Sequence, residues 1–300
     1  MDFPALRARR IYAQKLLHPM ETATQAARWM LATQGQQYGS GITAIEVRSA
    51  EPVAAAVEKQ MIVRTWSQRG THHFLAAEDA QWMMRLCGPR PEAAAAKRRP
   101  GLGITPEFYQ SCYRDFLAAL GDGPVSRSEA YGIFGADGTV GGHLLRSFGG
   151  LGEIVQGARR GKEDVFMLVS ALPVASRELD SDEALTELGT RYFHSRGPAT
   201  VQDLAWWSGL TVRDAKRAAA LARDVIAVGN YFMGAFQEEW SDFEAALSLQ
   251  LSLPAFDEYL LGYGDRAAVC APELVPIVGP TRNRICRPFT VSRGEVVAET

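Results

Sequence analysis

Two stretches of this 300-residue chain carry the same order of structural punctuation, and that repeat constrains the fold more than any other feature. From Phe116 the chain reads FLAALGDGPVSRSEAYGIFG, and from Tyr192 it reads YFHSRGPATVQDLAWWSGL. Each closes an apolar helix, passes through Gly-Pro, offers Ser126 or Thr200 as an N-cap, and enters a second helix that ends on glycine. Pro124 and Pro198 lie 74 positions apart, a spacing that suits a repeated small module. A further helix is predicted in each copy, from VGGHLLRSFGG in the first and from Thr211 as N-cap through VRDAKRAAALA in the second. Two β-prone runs then flank a polar or glycine-containing turn, in EIVQGARRGKEDVFMLV and in DVIAVGNYFMGAF. Helix, short turn, helix and hairpin in that order predict tandem winged helices of the helix-turn-helix type.

The segment upstream offers a third copy, with a helix near Pro52–Gln60, strand IVRTW, a turn at SQRG and strand THHFLA. The tract from Pro89 to Gly103, rich in proline and alanine and basic at Lys97, Arg98 and Arg99, reads as a linker or surface loop. Beyond residue 251 the pattern changes to short β-prone segments with Pro, Gly and Asn turns, which predicts a small sheet or barrel-like domain. The expected fold class is therefore α+β. N-terminal helices and a first winged helix occupy residues 1–100, a second winged helix 101–177, a third 178–250, and a β-rich domain 251–300. The last β pattern runs to Thr300, so continuation of the natural chain is expected.

With 47% hydrophobic and 22% charged residues and no apolar run of about 18 residues, the chain reads as soluble and globular rather than membrane-spanning. The N-terminal MDFPALRARRIYAQ lacks the apolar core of a secretory signal, so a cytoplasmic location is expected. Cys87, Cys112, Cys270 and Cys286 show no paired CxxC spacing, which argues for buried reduced thiols over a zinc site or disulfide framework. Charge is uneven. Residues 1–100 hold 14 Lys and Arg against 8 Asp and Glu, residues 101–177 hold 7 against 8, and residues 178–300 hold 11 against 18. One basic face on a neutral body would suit a phosphate backbone, although a scatter of solvated charges gives the same tally. Arg7, Arg9, Arg10 and the Lys97-Arg98-Arg99 tract are candidate phosphate contacts under the first reading.

At 33–39 the chain reads TQGQQYG, three amides in four residues after an apolar helical stretch. Amides are not strong bases, so any chemistry here runs through hydrogen bonding; the plain alternative is that they satisfy carbonyls at a helix end. Gly35 either lets the backbone approach a ligand or terminates the helix.

Taken with this run, written in full as ATQGQQYGSG, the strings RTWSQRGTHHFL and LPAFDEYLLGYGDR at 253–266 resemble the winged-helix family that contains the AlkZ-type DNA glycosylases. The resemblance spans nearly the whole chain. The Gln-x-Gln pair of that family falls on Gln34 and Gln36, whereas the related AlkX branch carries Gln-x-Asp; Gln37 is a near neighbour that can share their environment. The resemblance implies winged helices arranged around a DNA duplex and hydrolysis of the N-glycosidic bond of N7-alkylated purines, including bulky adducts or interstrand crosslinks in some members. Arg64, Arg69, Thr71, His72 and His73 on the first hairpin are candidate DNA contacts, in a groove or at phosphates, and the resemblance implies that this hairpin lies near the lesion. The expected partner is double-stranded DNA carrying alkylated purines, and a monomer is expected.

The chemistry tolerates amides. Ordinary glycosides need two carboxylates because a poor leaving group must be protonated while a nucleophile is activated. An N7-alkylguanine is already cationic and leaves without acid help, so the protein has to orient a water against the developing oxocarbenium ion. No cofactor, no metal and no Schiff-base lysine is implied; the His72-His73 pair has no Cys or carboxylate motif to complete a metal site. Trp206-Trp207 reads as core rather than as a stacking platform, and Asp257 and Glu258 as a domain-joining motif. The alternative is a non-catalytic winged-helix DNA-binding or transcriptional regulatory protein.

Overall fold

The computed structural model describes residues 1–280 and 285–299. Thr281, Arg282, Asn283 and Arg284, part of the predicted C-terminal β region, and Thr300 lie outside the described residues. The fold mixes helices with antiparallel sheet, as expected. Contacts gather the chain into two compact units, one of residues 1–53 and 179 onward, the other of residues 54–178.

In the first unit, helices start where capping chemistry allows. Asp2 caps Phe3–Ala13, Thr22 forms a capping box with Gln25 ahead of Ala23–Met30, and Asp180 forms one with Glu183 ahead of Ser181–Arg196. Thr200 and Asp203 form the box that opens Val201–Ser208, which closes on Gly209 at φ 76°, and Thr211 caps Val212–Leu221. The hairpin Val225–Val228 with Tyr231–Gly234 follows, as the repeat predicts. The C-terminal region forms a three-stranded antiparallel sheet of Glu295–Glu299, Phe289–Ser292 and Gln250–Leu253. This sheet does not build a core of its own. Leu253, Phe289, Val291 and Val296 pack with Leu6 and Ile11 of the N-terminal helix in one buried cluster.

In the second unit the other copy of the repeat is equally well formed. Ser126 and Glu129 make a capping box at the start of Arg127–Phe134, Gly135 closes it at φ 59°, and Gly138–Gly149 follows. The upstream hairpin, Ile62–Trp66 with His72–Ala76, and the downstream hairpin, Ile154–Gln156 with Val165–Leu168, pair edge to edge through Arg64 and Gln156. Val125–Ser126 adds to the far side. The two hairpins thus share one sheet. Phe116, Phe134, Phe148 and Phe166 fill the core beside it.

The tract at 89–103 departs from expectation. It is the helix Pro89–Ala96 followed by a 3-10 turn at Pro100–Leu102, not a linker or loop. Proline is tolerated in a first turn, where its missing N–H costs nothing, and four consecutive alanines favour the helix. All four cysteines are buried free thiols. Among the described residues, no helix is long and apolar enough to cross a membrane.

Candidate functional site

The glutamines do not sit at the end of the preceding helix. That helix stops at Met30, Leu31 turns back at φ 59°, and Gln34 ends a two-residue extended stretch. Gln37 then occupies the N-cap position of the helix Tyr38–Glu46 without capping it; its Oε1 accepts from the Ser40 hydroxyl at 3.0 Å. Gly35 therefore belongs to the connection between two helices and terminates neither.

Gln34 is buried and Gln36 is exposed. Between them, the backbone N–H of Gln36 donates to Oε1 of Gln34 at 3.0 Å, which fixes the side-chain carbonyl of the first amide against the backbone of the second. The backbone N–H of Gln34 donates in turn to Oε1 of Glu258 at 3.1 Å. Glu258 is 1% exposed. Its Oε2 accepts from Arg196 Nε at 3.0 Å, Arg196 Nη2 at 2.6 Å and the Trp207 indole N–H at 2.8 Å. Arg196 also donates to the Ser195 hydroxyl at 2.9 Å and to the carbonyls of Met30 (2.8 Å) and Ala32 (2.7 Å), just ahead of the glutamines. One buried ion pair therefore holds the first part of this connection at three backbone groups, those of Met30, Ala32 and Gln34.

Asp257 anchors a second, adjoining pair. Both its oxygens receive Arg48 at 2.8 Å, and Arg48 also donates to Gln14 Oε1 at 2.7 Å. Gln14 reaches the Tyr263 hydroxyl at 3.0 Å, which donates to the Arg196 carbonyl at 2.8 Å. Buried polar groups of this density are stable only when they pair with one another, and here they do so across segments far apart in sequence. The sequence reading of Asp257 and Glu258 as a joining motif does not reach their pairing with Arg48 and Arg196. The available signal was the placement of two acidic residues inside an otherwise apolar run.

Trp207 is core, as expected, but Trp206 is exposed rather than core and carries Arg266 over its ring at 4.7 Å. The N-terminal arginines are engaged within their unit. Arg7 pairs with Glu295 at 3.1 Å, Arg9 donates to the Gln237 carbonyl, and buried Arg10 donates to the Pro198 carbonyl at 3.0 Å and lies 3.5 Å over Tyr263.

The remaining candidates lie in the second unit. Arg64 is buried, donating to Gln156 Oε1 at 2.7 Å and Asp164 Oδ1 at 3.2 Å. Burial lowers its pKa to about 10, with the Asp164 charge opposing that shift. Burial and then the Arg64 charge push His72 well below the ordinary histidine range, so its neutral ring accepts from Gln156 Nε2 at 2.9 Å. Burial tends to raise the Asp164 pKa, but hydrogen bonds from Arg127 and Arg159 and the Arg64 charge prevail and hold it at about 2. His73 is fully buried, with Nδ1 3.0 Å from the Thr71 carbonyl. Arg69 and Thr71 are partly exposed in the turn, where Arg69 and Gly70 both take positive φ and Arg146 Nε donates to the Gly70 carbonyl at 2.9 Å. Lys97 and Arg98 are exposed; Arg99 is tied to Glu92 and Ser147 and lies 3.7 Å over Tyr109. Among the described residues, no group of three His, Cys, Asp or Glu is placed to hold a metal.

Known proteins bear on this arrangement. The family model described as DNA glycosylase AlkZ-like matches residues 22–299. A Streptomyces sahachiroi protein named interstrand DNA cross-link repair glycosylase is 22% identical, over 98% of this chain and 85% of its own. The solved structure of the Streptomyces sahachiroi DNA glycosylase AlkZ superposes with a TM-score of 0.79 at 21% identity, covering 100% of this chain and 87% of that one, a likeness of fold.

Proposed function

Because the chain belongs to the AlkZ-like DNA glycosylase family, we propose that it hydrolyses the N-glycosidic bond of cationic N7-alkylated purines in duplex DNA, with Gln34 and Gln36 positioning the water. The observation that carries this reading is the Gln36 N–H to Gln34 Oε1 bond on a loop fixed by Glu258. It fixes the Gln34 side-chain carbonyl against the Gln36 backbone and sets a buried amide beside an exposed one. Preorganised dipoles of that kind suit a leaving group that needs no acid and a water that needs only orientation. Neutral damaged bases, which must be protonated to leave, are poor substrates under this mechanism.

The cross-link activity in the relative's name extends the proposed substrates to interstrand crosslinks, whose N7 linkages are cationic in the same way. The helix–helix–hairpin segments serve as three winged helices gripping the duplex, followed by the small C-terminal β region. The hairpin tip at Arg69 and Thr71 and the exposed Lys97 and Arg98 meet DNA. Arg64, His72, His73 and Arg99 contribute by holding those elements in shape. The protein acts as a monomer, and since no lysine serves as nucleophile, the product is an abasic site without strand cleavage.

The test is single-turnover release of base from a duplex bearing one N7-methylguanine and from one bearing an N7-linked crosslink. Wild type should release base from at least one of them, and the Gln34→Ala/Gln36→Ala variant, folded and still binding DNA, should do so about 100-fold more slowly. Release at the wild-type rate after the double change would place the chemistry elsewhere.

A further inference from the structure

We infer that Glu258 is a positioning residue for this reaction, acting through the backbone N–H of Gln34; the inference rests on the function proposed above. Its two oxygens have separate tasks. Oε2 is committed to Arg196 and Trp207, three donors within 3.0 Å, which lock the carboxylate into the core. Oε1 faces the Gln34 N–H at 3.1 Å. Trp207 and Arg196 thus hold Glu258, Glu258 holds the Gln34 backbone, and the Gln34 side chain holds the Gln36 backbone N–H. Arg196 adds a second hold on the same segment through the carbonyls of Met30 and Ala32. Glu258 is too deeply buried to touch a water at Gln36, so its part is to set where the amides stand.

The geometry makes a neutral isostere informative. In Glu258→Gln, the surviving carbonyl oxygen has to serve either Arg196 and Trp207 or the Gln34 N–H, because the new NH2 repels donors. Three donors outweigh one, so the oxygen stays with Arg196 and Trp207 and an NH2 confronts the Gln34 N–H. The core ion pair becomes a charge-assisted hydrogen bond, and the loop loses its hold at the Gln34 N–H while keeping those at Met30 and Ala32. Displacement of a positioning group by about 1 Å can cost up to about 100-fold in rate.

The experiment measures single-turnover base release and duplex affinity for wild type, Glu258→Gln, Gln34→Ala and the double variant. Glu258→Gln is expected to slow release between about 10- and 100-fold with Kd changed less than about twofold, and to slow it far less in the Gln34→Ala background. A carboxylate that serves only stability would give equal factors in both backgrounds, and that result overturns the proposal. Should Glu258→Gln fail to fold, Glu258→Asp keeps the charge beside Arg196 while withdrawing the oxygen from the Gln34 N–H, and the same coupling is expected. Amide hydrogen exchange over residues 33–36 gives a readout independent of catalysis. Faster exchange in the Glu258 variants supports the anchor, and unchanged exchange overturns it. Absence of base release by wild type would refute the proposed function and with it any part of Glu258 in this reaction, while exchange would still report on the anchor.

Discussion

The Gln36 backbone donates to the Gln34 side chain at 3.0 Å, so the two amides of the motif are not interchangeable. Removing Gln36 deletes an exposed amide but keeps the backbone N–H that bonds to Gln34. Removing Gln34 deletes an amide and also the acceptor that holds Gln36 in place. Each alanine substitution should lower single-turnover release by about 100-fold, the range for losing one oriented dipole at a developing charge. The double variant should fall little below Gln34→Ala, because residues acting as a unit are not additive. Independent, multiplying losses would show that the hydrogen bond between them has no bearing on the chemistry.

Burial separates the basic candidates into two groups with different expected phenotypes. Lys97→Ala and Arg98→Ala remove exposed charges, so each should weaken duplex binding irrespective of sequence and flatten the plot of log affinity against log salt by about 1. Arg64→Ala removes a donor that Gln156 and Asp164 share, and should cost about 2 kcal/mol of stability in urea titrations with the salt slope unchanged. If neither Lys97 nor Arg98 moves the slope, the tract is solvated surface only.

Much of the fold was legible because its signals are local. Ser126, Thr200 and Thr211 could be identified as caps since each hydroxyl bonds a backbone N–H three residues on, and Gly135 and Gly209 as helix ends since both need positive φ. The alanine-rich tract was misread because proline and basic residues were weighed above helix propensity. What no local pattern carries is pairing across distance. Arg48 with Asp257 and Arg196 with Glu258 join positions 209 and 62 residues apart, and the sharing of one sheet by two hairpins depends on Arg64 meeting Gln156, 92 residues on. For the same reason the motif itself could be located, but not the carboxylate that holds it.

The second unit should be acid-sensitive in two steps. His72 has a depressed pKa in the fold, so below about 6.5 the unfolded chain gains a proton that the folded one refuses, and stability falls as pH drops through that value. Asp164, held at about 2, contributes stability that is complete above its ordinary carboxylate range and lost as pH falls from about 4 toward 2; the full contribution is about 2 kcal/mol. Urea midpoints measured by a probe in residues 54–178 should therefore decline on both intervals. Asp164→Asn should flatten the lower one and His72→Gln the upper one. A profile unchanged by either substitution would mean that these groups titrate alike in the folded and unfolded chain.

Arg48 and Asp257 offer a sharper test of how the first unit is held, since both side chains are fully buried and pair through two contacts of 2.8 Å. Asp257→Ala leaves the guanidinium with Gln14 and the Ala44 carbonyl but no opposing charge, and should cost about 3 to 5 kcal/mol. Taking both charges away together, in Arg48→Met/Asp257→Leu, removes the stranded ion and should recover most of that loss, because the desolvation of two charges disappears with their attraction. Urea unfolding of the three proteins measures this directly. A double variant no more stable than Asp257→Ala would mean that the hydrogen bonds to Gln14 and to the backbone of Tyr259, rather than the charges, are what this part of the core requires.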